Sequence, residues 1–457
     1  IESNDELLKA EYFRYIRSIK FNDILARDFL NFDDSFNIWE CSPLLEGSIY
    51  SAPTALALKM LAIYKLLGTN KCSSIMAYSK YEPINICLKN FCKSKEILFR
   101  QSLDYKKKIV IILKQALIKS VFVLSLTSLI FLIIHFLRWM FIRNSGSSEM
   151  LWKDADVFFA PMAHLTASSM KSWDGLEHIY SDQSKKANFI YMFSKTTEIP
   201  TPQLAVKTLN AFTTSKAIKN VLLESFLTNA TYLKVIMVHL NLLRIYLKIN
   251  KQQLSSHSLN DGESLYPILE KTIKRSFFGP ALSENLIRFF NIKILFSYIQ
   301  NPLRCFYLFE NQSWEKVVNI EFKKISPLNK TIAVLHSTVR FWDLRFAQPL
   351  TTKKTILSIL STPDYFAVNG DEAMTQYKEA GFKKERLIKV ESLRYQYLIK
   401  NRQNVNFEGH LSRSQKIRIL IFGDYSPILN HKMILFLQLC DRTLSNPIKF
   451  IFKPHIN

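Results

Sequence analysis

Two short apolar runs within residues 303–345 each end in a burst of polar and aromatic side chains, and this arrangement constrains the fold more than any other stretch. The first reads LRCFYLFENQSWEKVV and the second KTIAVLHSTVRFWDLR. Apolar runs this short, bounded by polar residues, fit strands buried on both faces of a parallel sheet. Ligands of such sheets bind outside the carboxyl ends of the strands. The two ends, carrying Glu310, Glu315, His336, Asp343 and Arg345, therefore read as two walls of one polar cleft.

The same pattern recurs at residues 157–160, 189–193 and 365–368, which predicts an α/β domain over residues 150–405. A mostly helical insert is expected at about residues 202–296, between the second and third runs. Upstream, residues 1–105 form a smaller helical or α+β region, with helical periodicity at residues 54–67. Downstream, residues 413–457 read as strand (416–423), helix (428–440) and strand (449–452), the start of a second α/β domain. The chain begins without Met and stops just after a motif, so it is expected to be cut at both ends.

Residues 106–143 stand apart. Their centre, SVFVLSLTSLIFLIIHFL (residues 120–137), has no Lys, Arg, Asp or Glu and is long enough to cross roughly 30 Å of hydrocarbon. Lys114 and Lys119 precede it, and Arg138, Trp139 and Arg143 follow, as interface anchors do. A membrane helix is preferred here to a core helix. The stretch YLKVIMVHLNLLRIYLKI (residues 232–249) is interrupted by Lys234, His239, Arg244 and Lys248. Those interruptions argue against a second span, and the stretch reads equally as an amphipathic surface helix or a core helix.

The net charge of +23 suggests an anionic partner, the other reading being a compositional bias toward Lys, Ile, Asn and Phe. No zinc-finger, RNP or P-loop pattern accompanies it, so a membrane surface or phosphate-bearing substrates fit better than nucleic acid. The 6 cysteines are scattered, without metal-ligand or CxxC spacing, and are expected as reduced thiols. The charged N-terminal residues contain no signal peptide.

Five pieces carry a resemblance: FNIWECSPLLEGSIYSAP (residues 36–53), YLFENQSWEKVV (307–318), LHSTVRFWDLRF (335–346), FAVNGDEAMTQYKEAGFKKERLIKVESLRY (366–395) and IFKPHIN (451–457). In this order they resemble bacterial surface-carbohydrate biosynthesis proteins of glycosyltransferase type. Those have the GT-B architecture, two Rossmann-like domains facing each other. The wider similarity is to polysialyl- and glycerophosphate-transferases, which carry a histidine after an N-domain strand and a Lys/Arg-x-His-Pro motif in the C-domain. The chain departs from the pattern in three places. Its last motif lacks the final proline, the aromatic-rich pattern at residues 158–176 is degraded, and most of the C-domain is missing.

The resemblance implies a transferase of polysaccharide or lipopolysaccharide biosynthesis at the bacterial inner membrane, with a cytoplasmic catalytic part. It would move a sugar from a nucleotide sugar, as substrate, to a glycan or lipid-linked acceptor, with no cofactor and no metal. The alternative is a non-catalytic membrane-associated glycan-binding or assembly protein that kept the fold. Membrane orientation stays open: counting basic flanks places everything after Arg143 opposite the cytoplasm, away from such substrates. A helix lying in the interface, or dipping in and returning, removes the conflict.

Sugar transfer needs a base for the acceptor hydroxyl and positive groups for the departing diphosphate. His336, after its strand, suits the base by its ordinary pKa, or merely caps the loop. Glu310 and Asp343 complete the catalytic set: Glu310 orients His336 or binds hydroxyls, and Asp343 binds sugar or pairs with Arg345. Glu315 binds substrate or stabilises a helix start. Arg340 and Arg345 are assigned to substrate, as are Asn369 and Gly370, for which a plain turn is the other reading. Glu391 and Arg394 bind substrate or form a structural pair, and Lys453 and His455 are expected on donor phosphate.

Overall fold

A computed structural model describes residues 5–33, 36–40, 42–47, 51–70, 72–79, 81–101, 120–146, 148–162, 173, 180, 185–211, 216–260, 262–335, 343–346, 359–391, 417–423, 427–443 and 448–453. The chain divides into two compact units, Ile1–Gln396 and Tyr397–Asn457.

The first unit is built on a seven-stranded parallel sheet. Its strands are β1 (Asp156–Pro161), β2 (Ala187–Met192), β3 (Ile218–Leu222), β4 (Arg304–Leu308), β5 (Lys330–Val334), β6 (Tyr365–Asn369) and β7 (Leu387–Val390). Their spatial order is β7-β6-β5-β4-β1-β2-β3, the Rossmann-like order 3-2-1-4-5-6 with one more strand at the edge. The central strands are buried along nearly their whole length, as a sheet covered on both faces requires. Phe158 of β1 stacks between Phe189 of β2 and Phe306 of β4, with ring centroids 4.6 and 4.7 Å apart. This in-register aromatic row joins the two halves of the sheet.

Five strands fall where the apolar runs predict them. Two do not. β3 lies inside the insert expected to be helical, and β7 was not anticipated. Both are edge strands, and their sequences IKNVL and LIKV carry polar residues on the less covered positions. An edge strand has no need of an unbroken apolar run, so its pattern is weak.

The N-terminal region is part of the same unit. Its helices α1 (Asp5–Ser18), α2 (Ala52–Thr69) and α3 (Glu82–Ser94) join the insert. Tyr64 Oη donates to the Ser264 carbonyl at 2.9 Å, and Phe21 packs edge-on against Phe277 at 5.3 Å. The hydrophobic stretch forms α4 (Val121–Trp139). The insert supplies α5 (Pro202–Ala211), α6 (Asn229–Leu247), α7 (Tyr266–Arg275) and α8 (Pro280–Tyr298). Both α4 and α6 are long and apolar enough to cross a membrane. Helices α9 (Ser313–Ile325) and α10 (Asp371–Glu379) connect β4 to β5 and β6 to β7.

The second unit, taken by itself, is a strand–helix–strand element: β8 (Ile417–Phe422), α11 (Pro427–Thr443) and β9 (Ile448–Lys453). The strands pair in parallel from Ile417 opposite Ile448 to Phe422 opposite Lys453.

Candidate active site

The chain leaves β1 toward β2 and β3 on one side, then returns past β1 to build β4 through β7 on the other. The carboxyl ends of β1 and β4 therefore mark the point where strand order reverses, the usual ligand crevice of such sheets. The loop directly after β4 runs through Glu310, Asn311 and Gln312 into α9.

This loop is held by Glu315. Its carboxylate accepts the backbone N–H groups of Glu310 (2.9 Å), Asn311 (3.0 Å) and Gln312 (3.1 Å), completing a capping box with Gln312. Glu315 is 1% exposed, and burial pushes its pKa well above the carboxylate range despite those bonds. Of its two readings, substrate contact or support of a helix start, the structure shows the second: Glu315 shapes the loop from beneath. Asn311 takes a left-handed conformation (φ 56°), which turns its amide to donate to the carbonyls of Leu45 (3.0 Å) and Glu46 (3.1 Å).

The segment 343–346 closes over the same edge. Arg345 lies against Asp343, with Nη2 to Oδ2 at 2.6 Å and Nε to Oδ1 at 2.9 Å. Its Nη1 reaches Glu310 Oε2 at 3.2 Å. The Asp343 side chain is fully buried, Arg345 is 7% exposed and Glu310 is 33% exposed. The structure thus brings Glu310, Asp343 and Arg345 together. Of the two readings of Asp343, a catalytic group or a partner of Arg345, the structure shows the pair: Asp343 is enclosed by Arg345 and positions that guanidinium. Glu310 is the member that meets solvent.

A further carboxylate belongs here. Burial raises the pKa of Glu46 to about 6, opposed by Lys316, by Arg288 and by the Ser313 backbone at the start of α9, and reinforced by Glu310. Lys316 also donates to the Glu40 carbonyl and lies 4.0 Å from the Glu40 carboxylate. Glu46 lies in the piece FNIWECSPLLEGSIYSAP, so the signal was present, but nothing local marks Glu46 as facing β4. The contact that brings it there spans 265 positions.

Asn369 and Gly370 end β6, two strands from β4 and so roughly 10 Å across the edge. Gly370 has φ 99° and caps α10, the turn role weighed for it. Glu391 is exposed after β7, one strand farther. Lys453 ends β9 in the second unit. His336, Arg340, Arg394 and His455 lie outside the described residues. Among the described residues, no three His, Cys, Asp or Glu side chains converge as a metal site would require.

Chemically, the edge offers a carboxylate whose pKa burial raises to about 6 (Glu46), a solvent-facing carboxylate (Glu310) and a braced guanidinium (Arg345). Such a set holds hydroxyls and can take a proton from one. The chain matches no protein-family model and no curated protein sequence.

Proposed function

We propose that this chain is a membrane-associated glycosyltransferase of GT-B type, which moves a sugar from a nucleotide-activated donor to a glycan or lipid-linked acceptor of the bacterial surface. The observation that carries the reading is Glu310, braced by buried Asp343–Arg345 at the carboxyl edge beside the reversal of strand order, with Glu46 near enough to feel its charge. In this reading Glu310, oriented by Arg345, binds acceptor hydroxyls, and Glu46 or His336 takes the proton as the hydroxyl attacks the donor's anomeric carbon. The leaving diphosphate calls for positive groups, the role that the resemblance gives to Lys453 and His455. The strand–helix–strand form of that unit fits the opening of a second Rossmann-like domain. The site would face the cytoplasm.

The test is transfer from a panel of nucleotide sugars to membrane-extracted acceptors, with His336→Ala and Glu310→Gln as variants. Loss of product with unchanged folding supports the reading. Unaltered turnover in both variants defeats it.

A non-catalytic glycan-binding role is favoured by the consumption of Glu315 and Asp343 in structural bonds. Glycan binding without any nucleotide-sugar binding would decide for it.

A further inference from the structure

α4 has 19 residues, about 28 Å of helix, which suffices to span a bilayer. Its surroundings oppose a crossing. The regions before and after it fold into one unit. Asn22 Nδ2 donates to the Lys248 carbonyl (3.0 Å), Tyr64 to Ser264 (2.9 Å) and Asn311 to Leu45 (3.0 Å). A single passage through hydrocarbon would put these partners on opposite faces of the membrane.

Adding α6 as a second crossing does not help. That would leave β1, β2 and β3 on one face and β4 on the other, yet Cys305 of β4 pairs with Val157 of β1 in the same sheet.

The two helices nevertheless present apolar surface. α4 turns Leu124, Ser128 and Leu132 inward, and Ser128 Oγ accepts the buried Gly279 N–H at 2.7 Å just before α8. α4 and α6 meet where His135 Nδ1 lies 3.1 Å from Tyr232 Oη. Outward, α4 exposes Leu126, Leu129, Ile133 and Leu137, and α6 exposes Leu233, Met237, Leu240 and Leu247. Met237 is 68% and Leu137 55% exposed, a cost that water-facing surfaces seldom carry over two adjoining helices.

Basic residues accompany this surface. Arg244 falls within the outward stripe of α6, Lys234 and Lys248 flank it, and Arg138 lies exposed near the end of α4. A second copy would set these cations, on a chain of net charge +23, against their own kind. Anionic headgroups complement them.

We infer that α4 and α6 form a two-helix face that lies in the headgroup–acyl boundary of an anionic leaflet, with the whole first unit on one side and no crossing. This deepens the membrane association in the proposed function. It is tested without nucleotide sugar, so its failure leaves the transfer chemistry standing.

The full chain should float with phosphatidylcholine–phosphatidylglycerol vesicles, and bind at least about tenfold more weakly to phosphatidylcholine alone or in high salt. The combined variant Ile133→Glu, Leu137→Glu, Met237→Glu, Leu240→Glu alters only exposed positions and should lose flotation while keeping its circular dichroism. In membranes, Lys59→Cys and Lys378→Cys should react with an impermeant maleimide from the same face, above the parent's background. Labelling from opposite faces would overturn the inference in favour of a span. Absence of flotation, with a dimer that the combined variant dissolves, would overturn it in favour of a second copy.

Discussion

Arg345 reaches in two directions at once: Nη2 lies 2.6 Å from the buried carboxylate of Asp343, and Nη1 lies 3.2 Å from the partly exposed carboxylate of Glu310. The guanidinium thereby connects an internal charge with a surface one, and its orientation is set from the inside. Removing Asp343 takes from the buried guanidinium the fully buried carboxylate that lies 2.6 Å from it. Asp343→Ala should destabilise the first unit by about 3 kcal/mol in denaturant titration. Asp343→Ala/Arg345→Met should recover part of that loss, because the uncompensated charge goes with it.

Glu46 is placed to report on proton transfer. Its pKa of about 6 leaves it mostly ionised at neutral pH and protonated in mild acid. If it takes the acceptor proton, kcat/KM rises with pH through about 6. Glu46→Gln should remove that inflection and lower the rate by about 10²-fold or more. A profile whose inflection survives in Glu46→Gln assigns the base to another group.

Glu224 offers a stability test away from the chemistry. It follows β3, and its carboxylate accepts the Phe193 N–H at 3.1 Å. Burial raises its pKa to about 7, with Arg288 opposing. A carboxyl whose folded pKa exceeds its unfolded value binds more protons when folded, so stability falls as pH rises. The decline should run from the ordinary carboxylate range, near 4.5, to about 7, and amount to roughly 3 kcal/mol. Glu224→Gln should flatten this part of the Tm–pH curve.

Gly47 joins the N-terminal region to the site. It has φ +68°, and a Cβ there would stand 2.7 Å from Leu344 Cβ and 2.9 Å from the Leu344 backbone carbon. Gly47→Ala combines a left-handed penalty with a contact that backbone must yield, costing about 2 kcal/mol or more. Because Leu344 lies between Asp343 and Arg345, hydroxyl-ligand affinity should weaken together with Tm. A fall in Tm alone would separate the contact from the site.

Much of the sheet was legible. The runs at residues 157–160, 189–193, 305–309, 331–335 and 365–368 became β1, β2, β4, β5 and β6, since a strand covered on both faces must be apolar along its length. β3 and β7 escaped because their edge positions relax that demand. At the site, the two-residue spacing of Asp343 and Arg345 announced a pair. The depth of its burial is not encoded in spacing, and neither is the use of Glu315 by three backbone amides.

By itself, the sequence determined the α/β class, most of the central strands, a helix start near Glu315 and the apolar character of α4. These follow from periodicity and local hydrogen bonding, which act within a few residues. Only the tertiary structure decided that Glu46 lies by the start of α9, that the Asp343–Arg345 pair is buried, and that the regions flanking α4 share one body. Those outcomes depend on which distant surfaces bury each other, and burial between segments hundreds of residues apart leaves no mark in either segment alone.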